Sequence, residues 1–219
     1  MPHTQSIFRL LPILALALLA LPERGMAQIN YGPSFGLVSS SIRGDKAFNS
    51  IQRYYGGGFI NANVLFYRVG FQAEGLIVGA GATMEDDGSI TNLKVNNTYL
   101  VLPLLVKFRL LQQFHFGLGY QYAALLGSTT TFNFGGNERE IDTSQDFRSG
   151  DAGAFIEFGY QARIGPGIHV RYYRGASRVN QQGETDLFNN YLQVGAFFAL
   201  GVKPDRNEWL NRRRNRFRN

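Results

Sequence analysis

Apolar and polar residues alternate along eight stretches of this sequence, and the connections between them are alternately short and long. The clearest stretch runs from Leu100 to Leu110, where every even position is apolar and the odd positions include Lys107 and Arg109. Because successive side chains of a strand point to opposite faces, this pattern predicts a strand with one apolar and one polar face. A soluble sandwich turns the apolar face inward, whereas a membrane barrel turns it outward to lipid and keeps its charges in a polar lumen.

The predicted strands are mostly longer than those of soluble proteins, and their length suits a tilted membrane crossing. They span residues 30–39, 57–67, 70–83, 98–110, 114–126, 151–161, 167–176 and 189–201. The tight connections are 67–69, 111–113 and 162–167, and the long polar ones are 40–56, 84–97, 127–150 and 177–188. Such sorting is typical of barrels with short periplasmic turns and longer external loops. The sequence therefore predicts an all-β fold, an eight-stranded antiparallel up-and-down transmembrane β-barrel.

The N-terminus has the pattern of a secretory signal. Arg9 precedes the apolar run 10–21, and small residues lead to Ala27, after which cleavage is expected. We therefore predict a signal peptide over 1–27, an outer-membrane barrel domain over 28–202 and a basic periplasmic tail over 203–219. The chain has no cysteine, which excludes disulfides and thiolate metal sites.

The net charge of +6 is carried mainly by the tail. Residues 203–219 contain seven basic and two acidic side chains, and residues 1–27 contribute a further +1, so residues 28–202 are neutral. A neutral body argues against nucleic acid as a partner. For the tail, two hypotheses stay open: an interfacial segment on anionic headgroups or a solvated segment. Its last arginines are Arg212, Arg213, Arg214, Arg216 and Arg218.

Four segments, 99–108 (YLVLPLLVKF), 117–122 (GLGYQY), 151–159 (DAGAFIEFG) and 170–175 (VRYYRG), carry a family resemblance. Through them the sequence resembles, over about residues 28–201, the small outer-membrane β-barrel proteins often labelled porin family or PorT-like. The resemblance implies the barrel fold, a place in the outer membrane, and lipid and the barrel insertion machinery as partners. One feature departs from the family pattern, since a tail follows the aromatic strand end that the insertion machinery reads.

Inward-facing charges form the first candidate site. Glu157 and Arg171 are equidistant from residue 164 in a predicted turn, which places them opposite each other in a simple hairpin. An eight-stranded barrel is about wide enough for side chains to fill, so we expect ion pairs to close the lumen, with a gated polar path as the alternative. Glu157→Ala is expected to leave Arg171 unpaired, at a cost of about 3 kcal/mol. The predicted layer comprises Glu74, Lys107, Arg109, Glu157 and Arg171.

His115 and His169 also face inward by parity, near Arg109. Two histidines and a glutamate are compatible with a metal site or with an esterase base. Inward residues, however, do not reach lipid outside the barrel wall. We therefore predict no catalytic residue, no metal site and no cofactor.

The external surface provides the remaining candidates. Arg174 and Arg178 are predicted at the outer rim, either beside anionic lipid phosphates or solvated. The connection 127–150, with Phe132 and Phe134, is the expected contact surface for an extracellular protein partner. The expected function is structural or adhesive, or passage through a narrow pore. The alternatives are a secretion or envelope-assembly accessory with a periplasmic protein partner and, third, a lipid-modifying enzyme.

Overall fold

The computed structural model describes residues 28–44, 48–64, 68–84, 91–111, 113–134, 137–145, 147–180 and 186–202. The predicted signal peptide and the basic tail lie outside the described residues. In the described part of the chain, no helix is long and apolar enough to cross a membrane. The strands are β1 (Gln28–Arg43), β2 (Phe48–Asn49), β3 (Ile51–Val64), β4 (Val69–Met84), β5 (Thr91–Arg109), β6 (Phe114–Phe134), β7 (Asn137–Asp142), β8 (Gly150–Gln161), β9 (Pro166–Gly175) and β10 (Phe188–Phe198).

Eight long strands pair with their neighbours in antiparallel fashion and close into a barrel. The order around the barrel is β1, β3, β4, β5, β6, β8, β9 and β10, and pairing of β10 with β1 completes the circle. The short strands β2 and β7 are additions to β4 and β6. The predicted eight-stranded antiparallel barrel is thus confirmed.

The barrel exposes its apolar face. On β5 the even side chains Leu100, Leu102 and Leu104 are 41–51% exposed, whereas Tyr99 and Val101 are 2% exposed. The same alternation holds along the other long strands, and no second sheet covers the outward face in the part of the chain that the structure describes. An exposed apolar band around a closed sheet is the arrangement of a transmembrane barrel and not of a soluble sandwich.

Three of the predicted polar links are shorter than expected because the strands continue into them. Residues 91–97 belong to β5 and residues 127–134 belong to β6, so the predicted links 84–97 and 127–150 were wrong in extent. The predicted link 40–56 is also too long, because β1 and β3 extend into it. The alternation of apolar residues on the outward face ends at the edge of the membrane. The hydrogen-bonded pairing between strands continues beyond that edge. The threonines at 129–131 pair with β5 and with β7, and β-branched side chains favour such extension.

The last predicted strand, 189–201, also ends earlier, at Phe198. Pro33 on β1 falls in the gap between the Ser34–Phe197 pair and an isolated bridge from Tyr31 to Leu200. Since proline has no N–H to donate to the ladder, regular pairing stops there and resumes only as that bridge.

The lumen is filled, and much of its filling is apolar. Twelve buried residues form one cluster inside the barrel, beyond the charged layer as seen from the short turns. The sequence analysis placed ion pairs in the lumen but did not predict this apolar cluster. The interior of an eight-stranded barrel has the width of a packed core, and here apolar side chains fill much of it. The cluster comprises Val38, Tyr55, Leu76, Val78, Ala80, Tyr99, Val101, Leu105, Ala123, Phe155, Tyr173 and Tyr191.

Candidate functional site

A layer of charged side chains crosses the lumen near the end of the barrel that carries the short turns. Arg171 on β9 lies at its centre and is 1% exposed. Its Nε and Nη2 donate to Glu157 Oε2 on β8 at 3.0 and 2.5 Å. Its Nη1 and Nη2 donate to the Glu74 carboxylate on β4 at 2.9 and 2.6 Å. Because the guanidinium presents its donors in a planar fork, one arginine ties β8 and β9 to a strand on the far side of the lumen.

The two carboxylates have further partners. Lys107 Nζ on β5 lies 3.1 Å from Glu157 Oε1, and His115 Nε2 on β6 lies 3.2 Å from the same oxygen. Gln72 Nε2 donates to Glu74 Oε1 at 2.5 Å. The two carboxylates are balanced by Arg171 and Lys107, so these four groups sum to zero charge. A buried charge is tolerated when it is both paired and hydrogen-bonded, and the layer meets both conditions.

The Glu157–Arg171 pair of this layer follows from the local structure of one hairpin, whereas the Glu74–Arg171 pair does not. The short turn between β8 and β9 sets a register in which Glu157 lies directly opposite Arg171, as the turn-centred hairpin predicted. The Arg171 guanidinium also lies 4.4 Å from the ring centroid of Phe155, a cation–π contact that fixes its plane. The contact with Glu74 spans 97 positions of sequence and depends on closure of the whole barrel.

Arg109 lies one layer closer to the short turns than Lys107. Its Nη2 donates to Gln161 Oε1 on β8 at 3.2 Å. The structure therefore joins four of the five predicted layer residues in one network and places Arg109 at the short-turn mouth of the lumen, where β5 and β8 end and β6 begins.

A second polar layer, which the sequence did not suggest, lies in the half of the lumen away from the short turns. The Asp151 carboxylate on β8 accepts from Tyr173 Oη at 3.1 Å and from Asn189 Nδ2 at 2.9 Å. Asn189 also donates to Tyr99 Oη at 3.3 Å. Tyr173 stacks on Tyr191 with their centroids 4.5 Å apart. Inward parity of Asp151 and Tyr173 was the available signal, but their pairing depends on barrel geometry.

The rim residues differ in their surroundings. Arg174 is exposed on the outward face of β9, two positions after Tyr172 of the apolar band. Arg178 Nη1 lies 3.0 Å from Asp186 Oδ1, and its Nε donates to Asn180. Beyond the apolar band, Ser144 follows β7 and donates its backbone N–H to Oδ1 of Asp142, the last residue of that strand. The hydroxyl and the backbone N–H of Ser144 together hold the pKa of Asp142 below its usual value.

The two histidines have partners inside the lumen. His115 contacts Glu157, and His169 Nε2 lies 2.8 Å from Tyr55 Oη. The prediction of no catalytic residue took the pattern Gly-x-Ser-x-Gly to be absent from the sequence, but residues 32–36 (GPSFG) fit it. Its Ser34 is buried within the continuous strand β1, whereas a nucleophile elbow requires a strand-to-helix turn. Within the described residues, no three histidine or acidic side chains are grouped to hold a metal ion.

A closed sheet, an outward apolar band and a filled lumen together define a transmembrane β-barrel protein. A family model described as outer membrane protein beta-barrel domain matches residues 23–179. The chain belongs to this family, and its location is the outer membrane.

Solved structures similar to this chain are outer-membrane barrels of very different sequence. Ail, the attachment invasion locus protein of Yersinia pestis, is 11% identical, with 78% of this chain and 98% of Ail covered and a TM-score of 0.46. Neisserial surface protein A is 10% identical, with coverages of 77% and 96% and a TM-score of 0.42. The outer membrane protease OmpT of Escherichia coli is 10% identical, with coverages of 83% and 99% and a TM-score of 0.35. The comparison with curated proteins gave no significant match.

Proposed function

We propose that this barrel is a closed, membrane-anchored scaffold that presents extracellular β-structure to a protein partner and does not conduct solutes. The observation that carries the proposal is the arrangement of Arg171, which is buried and bound to carboxylates from two sides of the lumen. The apolar cluster beside this layer adds a second obstruction, because packed side chains leave little room for water.

The β6–β7 extension is the proposed contact surface. β7 pairs with the distal end of β6, from Asn137 opposite Phe134 to Asp142 opposite Thr129, beyond the apolar band. Ile141 on this hairpin is 51% exposed and stands next to the exposed Glu140. Because this hairpin lies beyond the apolar band, its exposed side chains are available to a protein partner and not to lipid.

Reconstitution in planar bilayers tests the closed lumen. We expect no stepwise currents in either voltage polarity, while a conducting porin measured in parallel shows them. The physical reason is that a solute would have to displace a neutral ion-pair layer and a packed cluster at once. Stepwise currents that change in size on Arg171→Met would support the alternative, a gated polar path through the layer.

Site-specific photo-crosslinking in intact cells tests where the partner binds. A crosslinker at position 139 of β7 is expected to form protein adducts, because Arg139 is exposed on the extracellular hairpin. Position 102 serves as the matched control, since Leu102 faces lipid. Removal of residues 203–219 should leave the adducts at position 139 unchanged.

The same experiment distinguishes the alternative function, an envelope-assembly accessory with a periplasmic partner. That function requires adducts at position 163, on the short turn between β8 and β9, and their loss when residues 203–219 are removed. Adducts at position 163 with none at position 139 would replace the extracellular scaffold by the accessory.

A further inference from the structure

The Asp151 carboxylate is buried in the lumen away from the charged layer. It projects from β8 in the half of the lumen opposite the short turns, and the residue is 5% exposed. None of the ion pairs formed among the described residues includes it, whereas Glu74 and Glu157 are balanced by Arg171 and Lys107. A buried charge is normally paired or bound to a metal ion, because its desolvation is otherwise too costly.

Side-chain oxygens without hydrogen-bond partners lie around this carboxylate. Asp151 Oδ1, Asn97 Oδ1 and Asn189 Oδ1 are buried and have no partner in the described structure. Asn97 and Asn189 are 0% and 2% exposed. Both of their amide nitrogens donate to Tyr99 Oη, at 3.4 and 3.3 Å, and that of Asn189 also donates to Asp151 Oδ2 at 2.9 Å. Turning either amide over would lose these bonds, so the carbonyl oxygens are the groups that lack a partner.

The strands bring these polar groups together opposite small side chains. Asn97 lies on β5, Asp151 on β8 and Asn189 on β10, so the groups converge from three strands. Asn97 pairs with Ala80 on β4, and Asp151 pairs with Ala123 on β6. Because the lumen of an eight-stranded barrel is about wide enough for side chains to fill, alanine at both positions leaves space that larger side chains would occupy.

The chemistry of these oxygens defines the charge of a ligand. Each unpartnered atom is an acceptor, so the group attracts a cation and repels an anion. Asp151 supplies one negative charge, whereas the amide and phenol oxygens are neutral, so a monovalent cation brings the buried charge to zero. Calcium takes about six to eight oxygen ligands, more than this group offers. Neutral carbonyl oxygens replace the hydration shell of potassium in channel filters and coordinate sodium in transporters.

We propose that Asp151, Asn97 and Asn189 form a binding site for a monovalent metal cation, Na⁺ or K⁺, hereafter the Asp151 site. Asp151 supplies the charge and the two amides supply carbonyl oxygens. Tyr99 and Tyr173 orient these groups through their hydrogen bonds. The bound cation links β5, β8 and β10 across the lumen. The sequence-based expectation of no metal site considered the histidines, and the amide oxygens did not enter it.

The test uses the full chain in detergent micelles at about pH 8, where an ordinary carboxyl group is ionised. Sodium chloride and potassium chloride are titrated separately against N-methylglucamine chloride at constant ionic strength, and the unfolding temperature is followed. A ligand of the folded state raises that temperature, so we expect a rise with Na⁺ or K⁺ that the bulky organic cation does not give.

Equal rises with all three salts would reduce the effect to general screening and overturn the proposal. No rise with either metal ion would also overturn it and would mean that Asp151 is buried as the neutral acid. Calcium titrated at constant sodium should have little effect. Saturation by calcium at concentrations where sodium has no effect would contradict the monovalent assignment.

Asp151→Asn is expected to weaken binding of the cation about tenfold or more, because even groups beside the direct ligands of a metal contribute that much. Asparagine keeps the shape and can accept the hydrogen bonds from Tyr173 and Asn189. Asp186→Asn is the matched control, since it removes an exposed carboxylate from the same end of the barrel and should leave the response unchanged. A full sodium response in Asp151→Asn, or equal losses in the two variants, would overturn the proposal.

A measurement on the unmodified chain covers the case in which Asp151→Asn does not fold. The side-chain amide resonances of Asn97 and Asn189 should shift as Na⁺ or K⁺ replaces N-methylglucamine, along one saturable curve. Those of Gln72, which donates to Glu74 in the charged layer, should stay in place. Shifts of equal size at all three amides would contradict a localised site.

Discussion

Arg171→Met is expected to lower the free energy of unfolding by about 3 to 5 kcal/mol. The substitution leaves the carboxylates of Glu74 and Glu157 inside the lumen after their shared guanidinium is removed. Methionine fills much of the same volume, so the loss reflects charge and hydrogen bonding more than packing. The urea midpoint of the barrel in detergent, with folded protein scored by its faster gel migration before boiling, measures the change.

The quadruple variant Glu74→Gln, Lys107→Met, Glu157→Gln, Arg171→Met is the control. It removes all four charges of the layer, and because replacing a complete buried ion network is far less costly than breaking it, most of the lost stability should return. A midpoint of Arg171→Met within error of wild type would contradict the network as a stabilising element.

The same network changes what is expected of Glu157→Ala. The sequence predicted that this change leaves Arg171 unpaired, but Arg171 also donates two hydrogen bonds to Glu74. Glu157→Ala also leaves Lys107 without its carboxylate. Because Lys107 is only half-buried, whereas Arg171→Met leaves the buried Glu74 without its guanidinium, the loss for Glu157→Ala should be smaller than the loss for Arg171→Met.

The second large effect is expected at the β1–β10 seam. Gly32 on β1 packs so closely on β10 that an added Cβ would overlap the carbonyl oxygen of Phe198. Backbone cannot move aside as a flexible side chain does, so Gly32→Ala should cost about 3 kcal/mol or more and hinder closure of the barrel. Gel mobility before and after boiling, together with the urea midpoint, measures the closed fraction.

Gly75→Ala is the matched control for the seam. Gly75 lies on β4 in the same barrel, and an added Cβ there has no atom within 4 Å. Its urea midpoint should stay close to that of wild type. If Gly75→Ala lost as much closed barrel as Gly32→Ala, the effect would belong to glycine in strands generally and not to the seam.

Much of the fold could be predicted because lipid imposes a simple rule on sequence. Every outward position of β5 must be apolar, so the strand and its parity were visible in residues 100–110. Strand ends beyond the lipid were missed because the rule stops applying there, although the ladder continues through the threonines of β6. The apolar filling of the lumen was missed for a related reason, since inward Leu76 and Val78 interrupt the alternation on β4.

The candidate site likewise has one part that could be predicted from the sequence and another that could not. The Glu157–Arg171 pair is local, and a turn centre was enough to predict its register. The contact of Arg171 with Glu74 and the arrangement around Asp151 join strands that are distant in sequence, so they depend on how the strands are staggered around the barrel. Arg109 faces inward as predicted, but its depth at the mouth of the lumen followed only from that stagger.

Glu157 and Glu74 lie at very different sequence distances from Arg171, so we expect their contacts with Arg171 to form at different stages of folding. Glu157 and Arg171 are 14 positions apart and meet when a single hairpin forms, whereas Glu74 is 97 positions from Arg171 and reaches it only when the sheet has become a cylinder. Until that moment one carboxylate is without its guanidinium, so the electrostatic stabilisation is completed at the last step of assembly. An interaction formed so late slows opening of the finished barrel more than it speeds the folding of its parts.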